Sequence, residues 1–316
     1  MMKTRRPQGL TLFELVVVLA ILSAVTMAAS VATDRVLMQK RHDVTQQTLD
    51  AFRRSVLGRF GHTESISTVS LAAQTPTIDG FIADVGRLPI TVGTDPATQL
   101  AELWSNPLGL MPYGLKVAAG DPEVALSCGW RGPYLDLPSG AQGLRDGWGR
   151  NLLVLTRDSF GAPVAAGNGQ PIWGVSSLGS DGAVGVVNAE LPLAEDAAVW
   201  FGASLSQMQS DLVVRVFESD GAGGRTSLSQ SGSVMVRLYL PDSASGGLTF
   251  QQSPLLTTPA PITFTFPAVP IGPKVLRAYW VSDNSVAVKS TPTPIDVRRA
   301  GQATFDLVLP TLPITP

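Results

Sequence analysis

From Leu10 to Ala32 the chain is apolar at almost every position, with a single charge, Glu14, near the start of the run. A helix over that stretch rises roughly 34 Å, enough to cross a bilayer core of about 30 Å. Beyond it the apolar positions thin to Val44, Leu49, Phe52 and Val56, an approximate helical spacing that predicts the same helix continuing until Gly58 offers a stop. Residues 58–74 are rich in Ser, Thr and Gly and read as loop. Thr75-Pro76 then opens a short helix whose face is Ile78, Phe81, Ile82 and Val85, ending at Gly86. Gln99 to Trp104 offers one more helical turn, and short strands are expected at 133–135, 152–155 and 173–175 between Gly and Pro turns.

From about residue 205 the period changes from helical spacing to two. Runs at 212–217, 234–240, 262–266, 275–281 and 303–309 alternate apolar with polar positions between turn residues, which predicts an antiparallel β-sandwich of roughly seven strands. Tyr279 and Trp280 fall on opposite faces of their strand, so one is expected in the core and the other at the surface. The fold class is therefore α+β. A long N-terminal helix, transmembrane in its first half, packs on a small antiparallel sheet and is followed by an all-β sandwich. The corresponding segments are a leader at 1–9, an anchoring helix at 10–57, a globular domain at 58–204 and the sandwich at 205–316.

Composition narrows the function. A chain of 316 residues with 44% hydrophobic and 15% charged residues packs cores rather than staying disordered, and a net charge of -2 gives no footprint for nucleic acid. Cys128 is the only cysteine, which excludes an intrachain disulfide and a multi-cysteine zinc site, and reads as a small buried hydrophobe. His42 and His62 are the only histidines, and both lie near the N-terminus, away from the expected cores. The chain holds no P-loop, no Gly-x-Ser-x-Gly elbow and no His-Glu-x-x-His motif, so the sequence points to a structural or binding protein rather than an enzyme.

Lys3, Arg5 and Arg6 precede the apolar run and none follows inside it, which predicts a cytoplasmic N-terminus and an exported body. Two ordinary explanations compete. A secretory signal could be cut near Met27-Ala28-Ala29-Ser30, but the run is longer than the 7 to 15 apolar residues typical of such signals. A plain membrane anchor leaves Glu14 unexplained, because a carboxylate in a bilayer costs a few kcal/mol unless it finds a partner.

The stretch Gly9-Leu10-Thr11-Leu12-Phe13-Glu14-Leu15-Val16-Val17-Val18 resembles the class III signal of type IV pilins and type II secretion pseudopilins. That resemblance implies cleavage after Gly9 by a prepilin peptidase and methylation of Leu10, where phenylalanine is usual. It also implies that Glu14, the fifth mature residue, neutralises the terminal amine of a neighbouring subunit. The implied partners are other pilin-like subunits, the peptidase and an inner-membrane assembly platform, at a single-pass inner-membrane location with the body in the periplasm.

Further motifs follow in an order similar to that of the major pseudopilin of type II secretion. These are Gly80 to Pro89, Gly129-Trp130-Arg131-Gly132-Pro133-Tyr134-Leu135, Asp146-Gly147-Trp148-Gly149-Arg150-Asn151 and Ser177-Leu178-Gly179-Ser180-Asp181-Gly182. Gly147 stands where that family has proline. The last loop binds calcium in the family, with an acid pair four residues before a tryptophan, as Glu195-Asp196 precede Trp200 here. The resemblance thus implies a calcium site built from Asp181, Glu195, Asp196 and the carbonyl of Leu178. The alternative is a solvated glycine-rich loop closed by Asx turns. The stretch from Asp181 to the acid pair is longer than expected, and Glu195 replaces an aspartate. Pro267 to Pro273 resembles the turn of carboxypeptidase-regulatory-like, transthyretin-like sandwiches. Such a domain is foreign to the usual major pseudopilin, so two functions stand: a filament subunit serving as piston or scaffold for export, and a minor or tip subunit whose sandwich binds cargo.

Overall fold

The computed structural model describes residues 12–58, 80–158, 161–183, 197–201, 208–258, 262–282, 285–297 and 303–312. Helix α1 (Leu12–Leu57) is a continuous helix of 46 residues, about 69 Å long, and neither proline nor glycine interrupts it. It stops at Gly58, whose φ of 83° suits a residue without Cβ, and whose amide donates to Arg54 O at 2.8 Å. Burial begins only at Thr45 and runs through Leu49, Phe52 and Val56. Val44, expected on this face, is 40% exposed, because the inward stripe is set by Thr45 one position further round the helix.

This lower half packs on α2 (Phe81–Val85) and on a four-stranded sheet in the order β4 (Pro163–Ala165), β3 (Leu153–Arg157), β5 (Gly174–Ser177) and β6 (Ala197–Trp200). The shared core includes Phe52, Phe81, Leu103, Leu152, Val154 and Val175, with Phe52 stacked on Phe201 at a centroid separation of 5.6 Å. The start of the short helix at Thr75-Pro76 lies outside the described residues. Its end is at Gly86, left-handed at φ 84°. Gln99 to Trp104 contains a single tight turn, Ala101–Leu103. No strand forms at 133–135; there the amides of Tyr134 and Leu135 both donate to Leu103 O, at 2.8 and 3.2 Å. A three-residue apolar run between proline turns satisfies its backbone on a helical turn as readily as in a ladder.

A hairpin beyond the expected elements precedes this sheet: β1 (Gly114–Ala118) pairs antiparallel with β2 (Asp121–Cys128). Its signal was available as alternation at Leu115, Val117, Val124 and Leu126 around Gly120, which has φ 77°.

The sandwich has more strands than the seven expected. One sheet is ordered β10 (Leu248–Gln252), β9 (Gly232–Pro241), β13 (Gly272–Ser282) and β14 (Ser285–Lys289), with β11 (Leu256–Thr258) on β9 and β15 (Thr293–Val297) on β13. The other is ordered β12 (Ile262–Pro270), β7 (Gln209–Ser219) and β16 (Ala303–Leu309), with β8 (Arg225–Thr226) on β7. Leu212, Val214, Leu238, Phe264, Leu276, Trp280 and Leu307 fill the space between the sheets. Among the described residues of the sandwich every strand pair is antiparallel except β16 with β7, which is parallel; alternation reports which residues face inward but not which way a strand runs.

Tyr279 and Trp280 are both 1% exposed. Trp280 fills the sandwich core as alternation requires, whereas Tyr279 lies on the outer face, which the β1–β2 hairpin covers. Ala118, Val124 and Leu126 meet Tyr239 and Val275 there in a second apolar cluster. Within the seam, Asp121 accepts from Arg277 and Tyr279, and from Tyr239 at 3.3 Å, while Arg277 also pairs with Glu123. Gly272, at φ 107°, would place a Cβ 2.7 Å from that of Ala83. Arg87 bridges the same boundary, pairing with buried Glu102 and donating to Ser243 O at 2.8 Å. Globular body and sandwich are thus locked by packing and by buried charge.

Cys128 and Lys274 line this boundary. The thiol is buried and donates to Gly247 O at 3.3 Å, and burial pushes its pKa up to about 11, which suits an inert packing residue. Lys274 is fully buried, its ammonium donating to Ile271 O at 3.3 Å and Pro273 O at 3.2 Å. Burial lowers its pKa from 10.5 to about 7, against the opposing field of Asp296. A lysine with a lowered folded pKa penalises the fold most below that pKa, and the penalty fades as pH rises towards the unfolded value. The melting temperature of the chain is expected to climb from pH 7 to pH 10, and Lys274→Met to flatten that climb and melt higher at pH 7. Parallel pH profiles for the two proteins would contradict this assignment.

Candidate assembly surface and cation loop

Residues 12–37 of α1 carry the largest apolar surface of the described chain. Leu12 is 84% exposed, Phe13 75%, Ile21 58% and Val36 68%, and the apolar window in this helix, with mean hydropathy 2.5, has none of its residues buried within the chain. It is the one described helix long and apolar enough to cross a membrane. Its few hydroxyls are turned inward along the helix: Ser23, Thr26 and Thr33 donate to the carbonyls four residues back, and Ser30 donates to Met27 O. Such back-bonding satisfies polar groups where no water is present. Glu14 lies in the first turn, where a carboxylate complements the helix dipole. Gly9 and Leu10, the expected cleavage junction, fall outside the described residues.

The opposite end of the helix is held by the turn at Asp146. Gly147 N donates to Thr45 Oγ1 at 2.9 Å, and a Cβ at residue 147 would come within 1.9 Å of Arg41 O. Glycine at this position therefore lets the turn touch the helix backbone, and proline there would lack the donated hydrogen. Asp84 of α2 gathers Arg131 at 3.0 Å and Tyr134 at 3.1 Å, tying the first of the later motifs to the second.

At the loop expected to hold calcium, Asp181 and Leu178 are described and Glu195 and Asp196 lie outside the described residues. Asp181 Oδ1 accepts from Ala183 N at 3.0 Å, an Asx turn, and Leu178 O accepts from Gly182 N at 3.0 Å. The carbonyls of Gly179 and Ser180 accept from the guanidinium of Arg150. Among the described residues no three His, Cys, Asp or Glu side chains converge as a metal cage. Calcium takes six to eight oxygens; in the described half of this loop two carbonyls are engaged by Arg150 and that of Leu178 by Gly182 N.

Fold and surface together describe an α+β protein with one N-terminal apolar helix whose length and composition are compatible with single-pass membrane anchoring. Residues 4–30 match the prokaryotic N-terminal methylation motif. That motif marks type IV pilin-like substrates of a prepilin peptidase. No curated protein matches the chain in sequence. The crystal structure of a candidate carbohydrate binding protein from Pseudomonas aeruginosa is 11% identical to it, over 33% of this chain and 90% of that one, at a TM-score of 0.20. A likeness that low carries no argument.

Proposed function

We propose that the chain is a structural subunit of a type II secretion-like filament at a bacterial inner membrane, cut after Gly9, methylated at Leu10 and assembled through α1. The observation that carries this reading is the 12–37 surface, apolar and uncovered, joined without a break to a half-helix sealed into the body. A signal peptide is discarded and needs no rigid continuation; a subunit that packs helix on helix in the bilayer does. Glu14 supplies the partner for a neighbour's terminal amine, and the body stays periplasmic as piston or scaffold.

A second reading, a minor or tip subunit that presents the sandwich to cargo, draws on the buried seam. A domain locked by Asp121, Arg277 and Gly272 is carried at a fixed angle, as a presenting tip requires. Counting copies against other pilin-like subunits separates the two: a tip protein is scarce and sits at the fibre end.

Processing is the direct test. Mass spectrometry of the protein from cells with an active prepilin peptidase is expected to start at methylated Leu10. A start near Ser30, or an uncut chain, would falsify the assignment.

A further inference from the structure

We propose that Arg150 is the built-in cation of the loop at residues 177–183, standing where the resemblance places calcium, so that the loop is held without metal. The loop leaves β5 at Ser177, and one buried carboxylate sets its base. Asp146 Oδ1 accepts from Trp148 N at 3.0 Å and Arg150 N at 2.8 Å, while Oδ2 accepts from Ser177 Oγ at 2.8 Å. Ser177 Oγ accepts in turn from Gly179 N at 3.2 Å. The turn that fixes the backbone of Arg150 thus also fixes the start of the loop.

From this base the guanidinium reaches two consecutive carbonyls, with Nη1 donating to Gly179 O at 2.5 Å and Nη2 to Ser180 O at 3.0 Å. A Cβ at Gly182 would lie 2.7 Å from Arg150 Cζ, so the loop closes over the guanidinium as well as beneath it. Gly182 has φ 74°, and glycine meets both demands, the left-handed backbone and the close approach. A planar fork of donors with a permanent charge suits paired carbonyls. A divalent ion brought to the same oxygens would have to expel the guanidinium or lie against it, like charge on like charge at short range. This inference does not depend on the filament reading, since it concerns the folded body alone.

The test uses the full chain in detergent, with melting followed by tryptophan fluorescence in calcium and in chelator. Wild type is expected to melt at one temperature in both. Arg150→Gln, which keeps a donor but loses the charge and the second branch, is expected to melt about 4 °C lower in both and to be cut faster within 177–183 by protease. A wild-type melting temperature that rises with calcium, or saturable calcium uptake by calorimetry, overturns the proposal, and Glu195 and Asp196 are present to contribute to either. Arg150→Gln as stable and as protected as wild type also overturns it. Should that variant fail to accumulate, the wild-type calcium titration decides alone.

Discussion

Glu14→Ala is expected to abolish multimers while leaving cleavage and the folded body intact. Glu14 sits in the first turn of α1, more than a full bilayer span ahead of Thr45, the first buried residue of that helix. Its removal therefore cannot disturb the core around Phe52 and Phe81. Under the proposed function the peptidase cuts at the Gly9 junction, so processing is expected to survive. In the assembled state, however, the amine of an adjoining Leu10 would lose its counter-charge in a low-dielectric setting, a cost of several kcal/mol. Alanine itself suits the bilayer, so a plain anchor would lose nothing. Crosslinking or co-sedimentation of subunits in membranes compares the two; equal multimer yields would refute the pairing role.

The second large effect is expected at the seam. Asp121→Ala should destabilise the chain by roughly 3 to 5 kcal/mol, because removing one member of a buried charge pair strands the other. Asp121 is 1% exposed and Arg277 3%. Without the carboxylate, Arg277 keeps Glu123, whose side chain is 66% exposed, and Ser290 O at 2.9 Å. The hydroxyls of Tyr239 and Tyr279, 2.6 Å apart, lose their shared acceptor. Burial already holds the Tyr279 hydroxyl above its ordinary pKa, so that group cannot ionise to take the carboxylate's place. Hydrogen exchange along β9 and β13, with denaturant midpoints of the full chain, reads the loss. Unchanged protection in both strands would show that apolar packing at Tyr239 and Val275 seats the hairpin unaided.

These two residues differ in how far the sequence discloses them. Glu14 stands out because its immediate neighbours in the chain expose it: it is the one charge in the apolar run from Leu10 to Ala32. Asp121 does not stand out, since an aspartate beside Gly120 reads as an ordinary turn residue, and only the fold brings it against Arg277 of β13, more than 150 positions later. Gly147 is intermediate. Its departure from the resembling family's proline was visible, but its reason, the approach to Arg41 O, required the helix to be in place.

What the sequence by itself determined is what depends on near neighbours in the chain. That includes the uninterrupted α1 and its stop at Gly58, the end of α2 at Gly86, the alternating runs at 212–217, 234–240, 262–266, 275–281 and 303–309, each of which lies within an observed strand, and the methylation signal at the N-terminus. Periodicity and the φ of glycine act over a few residues, so they survive in a one-dimensional reading. The tertiary structure alone decided the parallel direction of β16, the burial of Tyr279 and the capture of the Gly179 and Ser180 carbonyls by Arg150. Each of these is set by a surface contributed from far along the chain. Alternation specifies that a residue faces out from its strand, but whether solvent or another layer waits there depends on where the rest of the chain packs.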